Sequence, residues 1–528
     1  MYTMRDRPWY KFWPEGVSRN IDYPEVPLFE LLSDTARKYP DNIAFSCQER
    51  SLSFGELDGQ TNKLATKLRE LGVKTRDRVV LFLPNGLEFI IGYYGILKAG
   101  AVVTAANKLY RGGELKHQLN DCQAVAIITD CDGYTVVKEI KDETGLKTII
   151  LTDSEGVDEA VSLQEILAEG QAIQPEVEIR PKEDIATIVY TGGTTGLPKG
   201  AMLTHYNLVV NAIQNATWFK WGNKDVVMSV LLFSHAWAAC VCINSPIYSG
   251  TRVIILPRFD AEKLLMTIEK ERATLLYGAA SMFIMLVSSP VITKYDISSL
   301  RYVKIGAMPI PPEVRQKWEK LTGVKMILGY GLTEGGPETH SSPPERVKLG
   351  TIGIPIADTD ARIVDAETGE NELPPGEVGE LVIRGPQVMK GYLDRPEDTK
   401  EALRNGWLYT GDLATMDEEG YFRIADRKKE IIKYKGYTIA PAEVEAALYE
   451  HPAVKECAVV GKPDALAGEV PKAYVVLKEG SALIDGELIE FCAQRVAPYK
   501  KIREVELIEE IPKTPVGKVL RRVLRDRQ

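Results

Sequence analysis

No segment of the chain repeats another and none is of low complexity, which excludes solenoid and fibrous arrays. Positive charge is in deficit: 65 Lys and Arg against 74 Asp and Glu leave a net charge of -9. Binding to a nucleic-acid backbone needs a basic face, so nucleic acid is excluded as a partner, although a local basic pocket for a nucleotide is not. Cysteine is sparse and scattered. The seven (Cys47, Cys122, Cys131, Cys240, Cys242, Cys457, Cys492) are odd in number and form no C-x-x-C pair, so neither a disulfide framework nor a zinc site is indicated, and a reducing cytosol fits. The opening segment MYTMRDRPWYKFWPEG lacks the short apolar core of a signal peptide, so a cytoplasmic location is expected.

What is present is the composition of a soluble globular protein, 45% hydrophobic and 26% charged, over 528 residues. That length predicts two to four domains or subdomains. Two uncharged stretches test this reading. Val226 to Thr251 contains no Asp, Glu, Lys or Arg and exceeds the roughly 20 residues that cross a bilayer. Ser229, Ser234, His235, Asn244, Pro246 and Gly250 interrupt it, so it reads as a buried strand and helix. Ala273 to Thr293, broken by Gly278, Ser281 and Pro290, reads the same way. No transmembrane segment is expected; peripheral membrane contact, and a monomer or a homodimer, stay open.

The first part of the chain alternates between helical and strand periods. Ser53 to Glu56 matches a capping box before an amphipathic run to Leu71, Val79 to Leu83 reads as a buried strand, and Gly86 to Ala99 as a helix. Ala101 to Thr104 is strand-like, Glu114 to Asn120 helical, and Ala124 to Thr129 a short strand. Such alternation predicts parallel strands with helices on both faces. After about residue 350 short strands lie between turn clusters, as at Asp365 to Gly369 and Asp417 to Gly420, and a small antiparallel barrel is expected. From Lys428 onward strands at 431–434, 456–460, 473–477 and 504–508, with helices at 441–449 and 486–495, predict a separate small domain.

One segment carries phosphate chemistry. Ile185 to Tyr190 is a buried strand that runs into Thr191-Gly-Gly-Thr-Thr-Gly-Leu-Pro-Lys199. Glycines let backbone N–H groups turn toward an anion, threonines add hydroxyl donors, and Lys199 adds charge. It is not a Walker loop, because Pro198 precedes the lysine and Gly200 follows it, where that motif needs Gly-Lys-Ser/Thr.

Tyr190 to Gly200 resembles the signature loop of the adenylate-forming superfamily, which comprises acyl- and aryl-CoA synthetases, firefly luciferase and peptide adenylation domains. Four further segments fit that family in order: Gly329-Tyr-Gly-Leu-Thr-Glu334, Tyr409-Thr-Gly-Asp412, Asp426 to Gly436, and Pro515-Val-Gly-Lys518. The resemblance implies an α/β fold with a large N-terminal adenylation domain (1–428) made of two doubly wound α/β subdomains and a small β-barrel. A small mobile α+β domain (429–528) follows. It implies an ATP-dependent acid:CoA ligase: a carboxylate attacks the α-phosphate of ATP, pyrophosphate leaves, and the acyl-AMP is passed to CoA. Such chemistry needs positioning and charge neutralisation more than covalent help, hence the implied Mg²⁺.

The same resemblance assigns roles. Thr191, Gly193, Thr194, Thr195 and Lys199 hold the triphosphate; Thr333 and Glu334 meet the α-phosphate and Mg²⁺, with Thr195 also near the metal. Gly306, Ala307, Gly329, Tyr330 and Gly331 surround the adenine end, and Asp412 and Arg427 contact the ribose. Lys518 is the catalytic lysine of adenylation, and Lys433 replaces it for thiol transfer. Lys429 is the hinge, and Gly436 lies where the pantetheine arm of CoA threads past the backbone. The acid pocket is implied at His235, Trp237, Ala238, Tyr277, Gly335, Gly336 and Pro337.

No acidic residue lies near Phe233, so an amino acid substrate is disfavoured. The small residues at 236, 238, 239, 335 and 336 favour a medium- to long-chain fatty acid, with an aryl acid of the coumarate or benzoate type as the rival. Gly192 stands where the family commonly has serine, and Thr438 where luciferase-like members have glutamine, which weakens a luciferase reading. Three other readings remain: transfer of the adenylate to a carrier-protein thiol, a phosphotransferase or ATPase, and a binding protein with a decayed site.

Overall fold

The strand–helix alternation of the first half builds two largely parallel sheets in a computed structural model that describes residues 7–153, 159–191, 198–306, 310–430, 432–434, 437–464, 467–481, 486–496, 498–514 and 517–527. Among the described residues the first sheet has eight strands. At its centre Arg78–Phe82 lies parallel between Val102–Ala105 and Ala126–Thr129. Val102–Ala105 in turn borders Ile185–Thr191. The intervening helices follow their sequence signals. Phe54–Glu70 starts at a capping box in which Ser53 accepts from the Glu56 N–H and Glu56 accepts from the Ser53 N–H. Every residue of Leu87–Lys98 except Glu88 is buried.

Among the described residues the second sheet has nine strands. Val226–Ser229, Leu275–Ala279, Tyr302–Gly306 and Met326–Tyr330 are neighbours in parallel register, so their carboxyl ends open on one edge, where α/β sheets bind ligands. The uncharged stretch from Val226 resolves into the first of these strands, a loop, and a helical run. That run comprises Ala236–Ala239, a π-bulge at Cys240–Asn244, and Ser245–Ser249. Val241, Cys242, Ile243 and Ile247 are fully buried, so the run is core. Among the described residues no helix is long and apolar enough to cross a membrane.

The antiparallel strands expected as a small barrel after residue 350 number five among the described residues. Asp360–Val364, Gly379–Arg384 and Trp407–Met416 pair in that order, and both Leu403–Arg404 and Phe422–Arg427 pair with Trp407–Met416. The N-terminal segment staples this sheet to the rest. Arg7 pairs with Asp360 and Glu372, the Ile21 N–H and the Tyr23 hydroxyl donate to Asp358, and Trp9, fully buried, meets Phe422 edge-on at 5.8 Å.

The smaller C-terminal domain has its own core of Ile432, Val444, Leu448, Val459, Val475, Leu488, Cys492 and Ile502. The long strands Val454–Asp464 and Gly468–Leu477 form an antiparallel pair, with Ile432–Tyr434 antiparallel and Glu504–Leu507 parallel to the second of them. The two domains meet at the turn Lys428–Glu430. There Asp426 accepts from the Ala442 N–H at 2.8 Å, Lys428 pairs with Glu380, and Arg521 binds both Glu430 and Glu445.

Trp9→Ala removes a buried aromatic that joins the N-terminal segment to the antiparallel sheet, and should cost the large domain about 3–5 kcal/mol. Calorimetry of the purified variant should show a lower unfolding temperature for that domain; an unchanged one would mean the segment contributes no packing.

Candidate active site

Two antiparallel strands, paired as a hairpin, flank the Gly/Thr segment. Ile185–Thr191 turns back as Lys199–Thr204, antiparallel, with Thr191 opposite Lys199 and the Thr191 hydroxyl donating to the Lys199 carbonyl at 3.4 Å. Gly193, Thr194 and Thr195 lie outside the described residues. The Walker comparison fails structurally too, because the lysine starts a returning strand instead of a helix. The helix comes one strand later: Thr204 caps His205–Trp218 by accepting from the Asn207 N–H. Lys199 is part-exposed; its ammonium pairs with Asp398 and stands 5.5 Å from the centre of the Tyr392 ring.

Opposite the hairpin, Met326–Tyr330 ends at the carboxyl edge of the second sheet. Its Tyr330 hydroxyl donates to Asp412 at 2.5 Å, and Asp412, on the antiparallel sheet, is only 2% exposed. The two predicted nucleotide residues are therefore brought together from chain positions that no spacing connects. Arg427 lies across from Asp412 in the backbone register, but its side chain is outside the described residues. After Tyr330 the chain closes tightly on itself. A Cβ on Gly331 would come within 1.7 Å of the Pro337 carbonyl oxygen, so this glycine is needed for packing, whatever it does toward adenine. Thr333–Gly335 is one 3₁₀ turn. It presents the part-buried Glu334, which accepts from the Tyr392 hydroxyl at 2.8 Å on its side chain and from the Met389 N–H at 2.9 Å on its carbonyl. Gly335, Gly336 and Pro337 are buried behind it.

The predicted acid pocket gathers at the ends of neighbouring strands. Trp237 packs edge-on to Tyr277 at 5.9 Å and against Gly306, where a Cβ would meet its ring at 2.9 Å. Ala238 is buried beside it; Ala307 lies outside the described residues. The Trp237 indole N–H donates to Glu338 at 3.4 Å, and Glu338 forms a fully enclosed ion pair with Lys304. Burial pulls the Lys304 pKa down, and Glu338 opposes that. Sequence reasoning missed this pair because Lys304 sits inside an apolar strand pattern and Glu338 follows the Gly-Gly-Pro turn with no motif around it.

His235 caps the short helix that carries Trp237, its Nδ1 accepting from the Trp237 N–H at 3.3 Å. The proton of the neutral ring therefore resides on Nε2. Burial first, and the positive charge of Lys518 second, push its pKa down to about 4. Lys518 is exposed, on a closed turn in which the Thr514 hydroxyl accepts from the Lys518 N–H at 3.0 Å and the Thr514 N–H donates to the Lys518 carbonyl at 2.7 Å.

Lys433 lies in the strand Ile432–Tyr434, paired in register with Thr438, and Lys429 in the turn Lys428–Glu430; the side chains of both are outside the described residues, as is Gly436. Among the described residues no cluster of three His, Cys, Asp or Glu side chains forms a metal cage. A single hard carboxylate such as Glu334, completed by substrate phosphates and water, is the donor set that suits Mg²⁺. Tyr392 and Asp398 were invisible in the sequence, since Met-Lys-Gly-Tyr-Leu and the acidic helix after it resemble ordinary strand and surface.

Residues 32–393 match the model of the AMP-binding enzyme family and residues 443–518 that of the AMP-binding enzyme C-terminal domain. The chain is 40% identical to the long-chain-fatty-acid–CoA ligase of Bacillus subtilis (strain 168), across 98% of its own length and 97% of that protein. It is 36% identical to 4-coumarate–CoA ligase 1 of Solanum tuberosum, across 91% and 89%. Its structure matches that of ATP-bound MatB from Rhodopseudomonas palustris with a TM-score of 0.88 at 29% identity, covering 95% and 99% of the two chains. With most of its length matched in this way, the chain belongs to the AMP-binding enzyme family.

Proposed function

We propose that the chain is an AMP-forming acid:CoA ligase whose acid is a medium- to long-chain fatty acid. The observation that carries this reading is the gathering at one sheet edge of Asp412, held by the Tyr330 hydroxyl at 2.5 Å, and of Glu334 and Lys199, both against Tyr392. A lysine and a metal-binding carboxylate gathered there suit a reaction in which a carboxylate and the α-phosphate of ATP, both anionic, must be brought together. ATP and CoA as substrates are further supported by the ATP-bound structural neighbour and by relatives that are CoA ligases.

In the first half-reaction Thr191, Gly193, Thr194, Thr195 and Lys199 grip the β- and γ-phosphates. Asp412 takes the ribose hydroxyls beside Arg427, and Gly329, Tyr330 and Gly331 face the adenine with Gly306 and Ala307. Thr333 donates to the α-phosphate; Glu334 and Thr195 would hold Mg²⁺, which would supply charge neutralisation on the phosphates. Lys518 lies along the line of attack, where a fixed positive charge lowers the barrier by stabilising the charge that builds there. Pyrophosphate leaves and an acyl-AMP anhydride remains. His235, neutral above a pH of about 4, adds no charge against the acid's tail, and Trp237, Ala238, Tyr277, Gly335, Gly336 and Pro337 form an apolar wall for it.

For the second half-reaction the small domain, 429–528, turns about Lys429, withdraws Lys518 and brings in Lys433. The pantetheine arm then passes Gly436, and the CoA thiol, ordinarily with a pKa of about 8.5, attacks the anhydride carbonyl and releases AMP. Relatives among both long-chain and 4-coumarate ligases keep an aryl acid as the second reading.

Acid labelled with ¹⁸O in its carboxylate should place one label in the AMP formed, as mass spectrometry reads; AMP without label, or ADP as the product, would refute the reaction. With acids of two to eighteen carbons, benzoate and coumarate compared by pyrophosphate release, kcat/KM should peak between eight and eighteen carbons.

The two lysines should separate the half-reactions. Lys518→Ala should slow acid-dependent ATP–pyrophosphate exchange by about 10²–10³-fold and leave thiolysis of supplied acyl-AMP within a few-fold of the parent. Lys433→Ala should give the opposite pattern, and equal loss of both activities in either variant would contradict the exchange of domains.

A further inference from the structure

Two charges assigned to the nucleotide, Lys199 on the hairpin and Glu334 on the 3₁₀ turn, belong to different sheets. One short segment touches both. Gly391–Tyr392 pairs antiparallel with the outer hairpin strand, Tyr392 opposite Ala201, and the Lys390 and Leu393 N–H groups extend the pairing to the carbonyls of Met202 and Gly200 at 2.9 and 2.8 Å. The position of Tyr392 relative to Lys199 is therefore set by backbone hydrogen bonds. From that position the Tyr392 hydroxyl reaches Glu334 Oε1 at 2.8 Å, while its ring faces the Lys199 ammonium. Met389, three residues earlier, holds the Glu334 carbonyl. On the far side the Tyr392 N–H donates to the Thr399 hydroxyl at 2.9 Å, which ties in the helix Pro396–Ala402 whose Asp398 neutralises Lys199.

We propose that Tyr392 is a positioning residue for adenylation: its hydroxyl fixes the Glu334 carboxylate in the orientation that meets the metal-bound triphosphate, and its ring face keeps Lys199 aimed at the phosphates once they displace Asp398. The proposal rests on the assignment of Glu334 and Lys199 to the metal–nucleotide complex. Mg²⁺ demands near-octahedral geometry at short distances, so a carboxylate on a single 3₁₀ turn binds it well only if its rotamer is held. A hydroxyl donor to a carboxylate is a charge-assisted hydrogen bond and among the strong ones. A cation over an aromatic face is attracted at the distance seen here, and that attraction does not compete with the phosphates for the ammonium hydrogens.

The hydroxyl and the ring make separable predictions. Tyr392→Phe removes the first and keeps the second. Calorimetric titration of ATP into the full-length protein without acid, at a series of Mg²⁺ concentrations, should show the half-saturating Mg²⁺ raised about 10-fold. ATP affinity at saturating Mg²⁺ should change less than about twofold, and the unfolding temperature should stay within a degree or two. Tyr392→Leu should add a weakening of ATP binding at saturating Mg²⁺ that Tyr392→Phe lacks. Glu334→Gln is the reference arm. If it shifts the Mg²⁺ dependence while Tyr392→Phe titrates like the parent, or merely melts earlier, Tyr392 has no positioning role although the site assignment stands. If Glu334→Gln itself titrates like the parent, the assignment of Glu334 fails and the proposal with it.

Discussion

A site proposed for a triphosphate must hold positive charge ready while it is empty, and the pairing of Lys199 with Asp398 meets that constraint. An ammonium near a protein surface finds a carboxylate, and here it is Asp398. Both partners are about 30% exposed, so water screens the pair and its strength is of the order of 0.2–1 kcal/mol. A weak internal partner can be displaced by a more highly charged ligand at small cost. A buried one could not.

The contrast is Lys304 with Glu338, enclosed at the base of the pocket wall. Removing one member of such a pair strands a charge in a poor solvent, at about 3–5 kcal/mol. Glu338 also accepts from the Trp237 indole, and Trp237 lies against Gly306 and Tyr277. The wall proposed to face the acid is thus oriented from behind by a fixed charge, while the proposed phosphate end works through an exchangeable one. The two ion pairs differ in burial, and burial decides which is permanent.

Both arrangements depend on how the sheets meet. The parallel strands of the second sheet deliver Tyr277, Gly306 and the Tyr330–Glu334 turn to one edge, because their register aligns their carboxyl ends. The hairpin of the first sheet reaches that edge through Gly391–Tyr392, and Asp412 arrives from the antiparallel sheet to accept from Tyr330. Three sheets contribute side chains to the proposed nucleotide end, to which the proposed mechanism adds Lys518 from the small domain.

Helices, strands and the order of the motifs were legible along the chain, since local burial repeats with the period of each element and glycine, threonine and proline mark the turns between them. The capping box at Ser53, the buried strands expected from Val79 and Ala124, and the breakers inside Val226 to Thr251 correspond to the structure, where the second strand starts at Ala126. The returning strand at Lys199 was not legible, because a loop between two apolar runs looks alike whether the second strand pairs back or leads into a helix. Neither were the pairs Tyr392–Glu334, Lys199–Asp398 and Lys304–Glu338, whose partners stand 58, 199 and 34 residues apart. Local pattern registers only what each residue does with its near neighbours, and that sufficed for the elements and the chemical inventory. Which carboxylate neutralises which lysine is a matter of distance through space and access to water, and those exist only once the sheets have packed.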